Sequence, residues 1–214
     1  MRTLIGAILF SLLILGLSVK SGPVKFPKKP KNPGNTNITI AYLLDRNDFN
    51  KEYNFEEVQQ WLQEVQEKAQ ADLKNAVGVN IQLQITEINE TSEELSRRLK
   101  AWLNEGHVYG GWILGFVKNE SMNKTANPDI TCVLTKHKIY NDYDSGMLAY
   151  SLHQSLCDSM VPMLLTYKKN EVKQCGELLS QLIQNSTRND FKKELNKCKR
   201  KNSSSRGKRP LLYP

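Results

Sequence analysis

The chain has 214 residues, 39% of them hydrophobic, with 30 Lys/Arg against 22 Asp/Glu and a formal net charge of +8. That length can bury the core of one domain, and four cysteines with no C-x-x-C pair describe neither a cysteine-held miniprotein nor a redox motif. Beyond residue 17 no stretch is apolar enough to cross a bilayer, which excludes a polytopic membrane protein.

The N-terminus predicts a secretory signal. Arg2 gives a short basic start, residues 4–17 form an apolar run without charge, and Gly16 and Ser18 supply small residues for cleavage after Ser18. The run is short for a span of about 20 residues. No transmembrane segment is therefore expected once the signal 1–18 is removed. Residues 19–36 alternate Lys, Pro and Gly, a composition that reads as an extended linker. Residues 38–44 (Ile-Thr-Ile-Ala-Tyr-Leu-Leu) read as a strand covered on both faces. Asn54 to Glu57 is a capping box, and Phe55, Val58, Leu62, Val65, Ala69, Leu73 and Ala76 follow as one face of a long helix ending near Gly78.

Val79, Ile81, Leu83 and Ile85 alternate with polar residues and predict a second strand. Thr91 to Glu94 opens a second helix with Leu95, Leu99, Trp102 and Leu103 inward and Gly106 as its stop. Residues 112–117 (Trp-Ile-Leu-Gly-Phe-Val) read as a buried strand, and 129–134 as another carrying Cys132. Leu148, Leu152, Leu156 and Met160 recur every four residues and predict a third helix over 145–160. A loop, a helix over about 175–183 and a short final helix up to Cys198 complete the pattern. The order predicts a three-layer α/β domain with a mixed sheet over 37–201, followed by a basic disordered tail over 202–214.

Charge is unevenly placed. Residues 192–209 hold nine Lys/Arg and one acid, whereas 32–191 hold 15 Lys/Arg against 21 Asp/Glu. An acidic domain thus carries two basic arms. Lys199, Arg200, Lys201, Arg206, Lys208 and Arg209 are candidate contacts for polyanions such as heparan sulfate. The tail lacks the interleaved aromatics that stack bases, so nucleic acid is not expected as a partner. Secretion makes Asn37, Asn89, Asn119, Asn123, Asn185 and Asn202 candidate N-glycosylation sites. It also favours two disulfides among Cys132, Cys157, Cys175 and Cys198, with three connectivities open.

Residues 149–160 read Ala-Tyr-Ser-Leu-His-Gln-Ser-Leu-Cys-Asp-Ser-Met. Laid on H-E-x-x-H-x-x-G-x-x-H, the motif positions fall on Tyr150, Ser151, Gln154, Cys157 and Met160. None can bind zinc or polarise a zinc-bound water as the motif requires. With the order of elements, this frame resembles the metzincin zinc peptidases, particularly their adamalysin-like (reprolysin-like) branch, with a degenerate motif. The whole pattern also resembles a metastriate-specific family of secreted tick salivary proteins. The resemblance implies a metalloprotease-like pseudoenzyme acting in the host during feeding, with no metal, no cofactor and no catalytic residue. It further implies the bridges Cys132–Cys198 and Cys157–Cys175, and Met163 under the lost metal.

Other chemistry finds thinner support. His153 with Cys157 is a conceivable helical metal pair, and Ser151, His153 and Asp158 a conceivable hydrolase set without a G-x-S-x-G elbow. Trp61, Trp102 and Trp112 read as packing residues, and Gly110-Gly111 is not a phosphate loop. Three functions follow: a secreted non-catalytic binder of host extracellular protein or sulfated glycan, a divergent metallopeptidase or other hydrolase, and a small-ligand carrier. The helices count against a lipocalin-type barrel for the last.

Overall fold

Strand β2 (Thr36–Leu44) is the axis on which the sheet is built. The computed structural model describes residues 24–25, 36–50, 53–122, 124–152, 155–187 and 190–204, with side chains undescribed at 24, 25, 196 and 199–204. Parallel neighbours flank β2 on either side: β3 (Ile81–Glu90) and β6 (Ile130–Thr135). Beyond β6 lies parallel β9 (Val161–Thr166), and antiparallel β8 (Ala149–Tyr150) forms the edge. The other edge is β1 (Val24–Lys25), antiparallel to β3, so part of the expected linker pairs with the sheet. A small second sheet joins β4 (Leu103–Asn104), β5 (His107–Tyr109) and β7 (Lys138–Tyr140).

Period-two alternation sorts the strand residues between two cores. Ile38, Ile40, Tyr42, Ile130, Cys132, Leu134, Val161, Met163 and Leu165 face one. Val133 and Leu164 face the other. Three helices, α1 (Phe55–Val77), α4 (Val172–Asn185) and α5 (Phe191–Ser204), cover the first face. The second is covered by α2 (Glu93–Ala101) and α3 (Gly110–Met122). The result is a three-layer α/β fold with a mixed sheet and a disulfide.

Local chemistry fixes the helix ends. The Asn54 side chain accepts from the Glu57 amide at 3.3 Å, and Gly78 closes α1 at φ 66° with its N–H on the Lys74 carbonyl. Helix α4 lies close against α1. A Cβ on Gly176 would stand 2.5 Å from Lys68 Cγ and 3.0 Å from the Val65 carbonyl oxygen. Lys68 then bridges the two helices, at 2.5 Å from Asp72 and 3.3 Å from Glu177.

Several expectations are overturned. Residues 112–117 belong to α3, which buries Ile113, Leu114 and Val117 and leaves Trp112 59% exposed. A short apolar run does not distinguish a strand from a buried helical stripe. Trp112 packs only at the surface, edge-on against Trp102 and Tyr109, and Leu103, expected inward, is exposed on β4. Among the described residues of 145–160 there is also no helix. Met147 bridges to Ile139, Ala149 and Tyr150 pair with Leu165 and Leu164, and Leu156–Ser159 forms a turn. The four-residue recurrence is accidental, since Leu156 enters one core and Met160 the other, on opposite faces of the sheet. What read as a loop beyond 161 is strand β9, with Met163 buried opposite Cys132.

The bridges differ as well. Cys157 pairs with Cys198 across a Cα–Cα distance of 4.7 Å, and Cys132 and Cys175 are buried free thiols. Cys132 sits mid-strand between Tyr42 and Met163, fully buried in the first core. The Cys175 Sγ instead faces the Thr166 carbonyl oxygen at 3.7 Å. Finally, α5 continues to Ser204, three residues past the expected domain end.

Candidate functional site

The degenerate motif positions do not converge. Tyr150 is half-buried on β8, its ring covering Gly110, where a Cβ would come within 2.4 Å of it. Ser151 Oγ donates to the Pro162 carbonyl at 3.4 Å. Cys157 is held in the disulfide, Met160 is core, and Gln154 lies outside the described residues. The metal pair His153/Cys157 loses its thiolate to that disulfide, and His153 itself lies outside the described residues. Asp158 of the hydrolase set is bound to Lys197 Nζ at 2.9 Å. Among the described residues no group of three or more His, Cys, Asp or Glu could hold a metal ion.

Helix α4 follows the strand pair β8–β9. Its residues do not fit zinc. It carries no His, Cys175 is turned into the core, and Glu177 is engaged by Lys68.

The structure does assemble three features. At the carboxyl ends of β2 and β6, where strand order reverses and open α/β sheets leave a crevice, Asp48 clasps the facing loop. Its Oδ1 lies 3.0 Å from His137 Nε2, and its Oδ2 accepts from Thr135 Oγ1 at 2.8 Å and the Lys136 amide at 2.6 Å. Asp45 lies beside it, 2% exposed. Burial, reinforced by the Asp48 carboxylate, pushes the Asp45 carboxyl up to about 6, against the lowering effect of Asn47 and His137. Sequence reasoning passed over these residues, whose one signal is charged and polar side chains directly after apolar strands.

The second feature is aromatic. Trp102, Trp112, Tyr109 and Tyr140 form a chain of edge-to-face contacts with centroids 5.1 to 5.3 Å apart. Arg98 lies over the Trp102 and Phe116 rings, and Tyr109 Oη donates to Asp142 at 2.7 Å. Leu103, Trp112 and Tyr143 are exposed on and around the small sheet. Gly110 and Gly111 at the start of α3 leave room for the Tyr150 and Tyr109 rings.

The third is basic. On α5 Lys192 and Lys193 face solvent opposite buried Leu195 and Cys198, while Lys197 is paired with Asp158 and Glu194. The side chains of Lys199, Arg200 and Lys201, and all of Arg206, Lys208 and Arg209, lie outside the described residues. The sequons divide by exposure. Asn119 and Asn185 face solvent, Asn89 is half-buried and donates to Glu87 at 3.0 Å, and Asn37 is 8% exposed on β2. The Asn123 and Asn202 side chains are outside the described residues.

No protein-family model matches the sequence, and no curated protein sequence does. Among solved structures, the chain is similar to metalloproteinase-II from Bacteroides fragilis, at 13% identity and TM-score 0.45, covering 75% of this chain and 45% of that one. The chain thus spans less than half the length of that protein. It is also similar to archaemetzincin from Methanopyrus kandleri, at 8% identity and TM-score 0.38, covering 81% of this chain and 97% of that one. A third is archaemetzincin from Archaeoglobus fulgidus, at 12% identity and TM-score 0.33, covering 75% and 91%.

Proposed function

We propose that the chain is a secreted, metalloprotease-like protein without peptidase activity, a salivary-type binder of host extracellular protein or sulfated glycan. One observation carries the non-catalytic part. The whole chain has three histidines, His107, His137 and His153, and no two are four residues apart. A helical pair with both imidazoles on one zinc therefore cannot form anywhere in it. The chain order supports the metalloprotease-like part, with the long helix α1 after β2 and α4 after β8 and β9. Elemental analysis of the secreted protein should find no stoichiometric zinc, and a peptidase assay no chelator-sensitive cleavage. About one zinc per chain, lost to chelator together with activity, overturns the reading.

The binding part rests on the basic arm attached to an acidic domain. Retention on immobilised heparin should weaken steeply with salt, because exposed charges are screened beyond about 8 Å at physiological ionic strength. A chain cut after Ser204 loses Arg206, Lys208 and Arg209 while keeping α5, and it should elute at lower salt. Neutralising Lys199, Arg200 and Lys201 as well should abolish most retention. Unchanged elution of both variants removes the glycan from this reading.

A further inference from the structure

We propose that Tyr143 is a tyrosine-sulfation site, modified during transit through the secretory pathway. The proposal rests on the reading of the chain as secreted and goes beyond it. A sulfuryl donor is itself polyanionic, so a transferase that holds it needs a cationic cleft. Such a cleft draws in tyrosines flanked by carboxylates and leaves others alone.

By sequence alone, Tyr53 is the stronger candidate. Asp48, Glu52, Glu56 and Glu57 all lie within five positions of it, whereas Tyr143 has only Asp142 and Asp144. The structure reverses that order. Tyr53 is half-buried, its ring packed edge-on against Phe49 at 5.6 Å and Phe55 at 6.4 Å. Its phenol is pushed up, chiefly by burial and then by Glu90. Tyr143 is 92% exposed.

The turn that carries Tyr143 holds it outward. Asn141 Oδ1 accepts from the amides of Tyr143 at 2.8 Å and Asp144 at 2.7 Å, and the Asn141 amide donates to the Asp144 carbonyl at 2.9 Å. The backbone donors are thus satisfied within the turn, and the ring extends from it. The other described tyrosines are buried or half-buried. Between Tyr143 and Tyr167 the chain has no Lys or Arg, and the nearest preceding one is Lys138. Tyr143 is therefore the described tyrosine that combines a free ring with a carboxylate on either side.

The step is a sulfuryl transfer without redox change. The Tyr143 phenolic oxygen attacks sulfur of a nucleotide phosphosulfate, forming the aryl O–S bond. The S–O bond to phosphate breaks with its electron pair leaving on the phosphate, and the phenolic proton passes to a base of the transferase. The product is a fixed anion between Asp142 and Asp144, on the surface that also exposes Trp112.

The test is intact-mass analysis, after enzymatic removal of N-glycans, of wild type, Tyr143→Phe and Tyr53→Phe collected from the medium of cells competent for sulfation. Wild type and Tyr53→Phe should carry the mass of one SO3 group, and Tyr143→Phe none. Mild acid should remove the group, as it does an aryl sulfate and not a phosphate. Secreted wild type without the added mass, retention of the mass in Tyr143→Phe, or resistance to acid would each overturn the proposal. A chain absent from the medium would instead overturn the secretion reading, and the proposal with it.

Discussion

Replacing Cys157 and Cys198 together by alanine should lower folding stability by about 4 kcal/mol, the loop-entropy value for a bridge closing some 40 residues. The sequence separation is 41, and the bridge ties the turn before β9 to α5, the last helix. Without it, α5 is held to the first core chiefly by Leu195 and partly buried Phe191, and by the Lys197–Asp158 ion pair. Exposed pairs of that kind contribute little. Urea unfolding of the double variant should show the loss as a lower midpoint. Thiol counting is the independent check. Burial pushes the Cys132 thiol up to about 12 and the Cys175 thiol up to about 11, so neither offers thiolate at neutral pH. Native protein should resist alkylation, and unfolded, unreduced protein should take up label at Cys132 and Cys175 only. Peptides joining Cys132 to Cys198, or Cys157 to Cys175, would sink this assignment.

The parts of the fold legible in the sequence are those where local and tertiary demands agree. The run 36–44 is buried almost throughout, and its β-rich composition says the same. Helix α1 has its cap at Asn54, its stop at Gly78 and its apolar stripe in register with both. Ile81, Leu83 and Ile85 alternate on β3 as a strand with one face in the core should. Each element announces both its ends and its period.

Legibility fails where the period is short or the contacts are remote. Six apolar residues at 112–117 satisfy a strand or a helix equally, and the deciding facts are the rings of Tyr109 and Tyr150 against Gly111 and Gly110. Leu148, Leu152, Leu156 and Met160 imitate a helical stripe, yet Leu152 is exposed and the last two serve opposite cores. The cysteines were undecidable by spacing, because the Cys157–Cys198 approach depends on how α5 returns to the sheet. The Asp45–Asp48–His137 cluster joins loops about 90 residues apart, and no local pattern reports such a meeting.

Asp45→Asn should stabilise the protein at neutral pH relative to wild type, by a pH-dependent amount reaching about 2–3 kcal/mol. The sign follows from the direction of the shift. The folded protein holds the Asp45 proton up to about pH 6, whereas the ordinary value of the side chain in an unfolded chain is 3.8. Protonation therefore favours the native state. The stability it contributes is complete below the unfolded value and is lost as pH rises through about 6. Above that, the folded chain carries a buried carboxylate next to Asp48, relieved in part by two hydrogen bonds from Asn47, at 3.0 Å from its amide and 2.8 Å from its side chain. An asparagine at 45 keeps a carbonyl oxygen to accept those bonds and removes the ionisation. Other carboxylates run the opposite way. Glu57, held low by Lys169 and Tyr167, favours the native state above its unfolded value. The informative quantity is thus the difference between variant and wild type, measured by urea unfolding at several values between pH 4 and pH 7. That difference should rise with pH in favour of the variant and level off above the folded value. A flat difference would mean that Asp45 ionises in the folded protein as it does in the unfolded chain, its two bonds from Asn47 offsetting its burial in full, and one that falls with pH would mean that the fold favours its carboxylate.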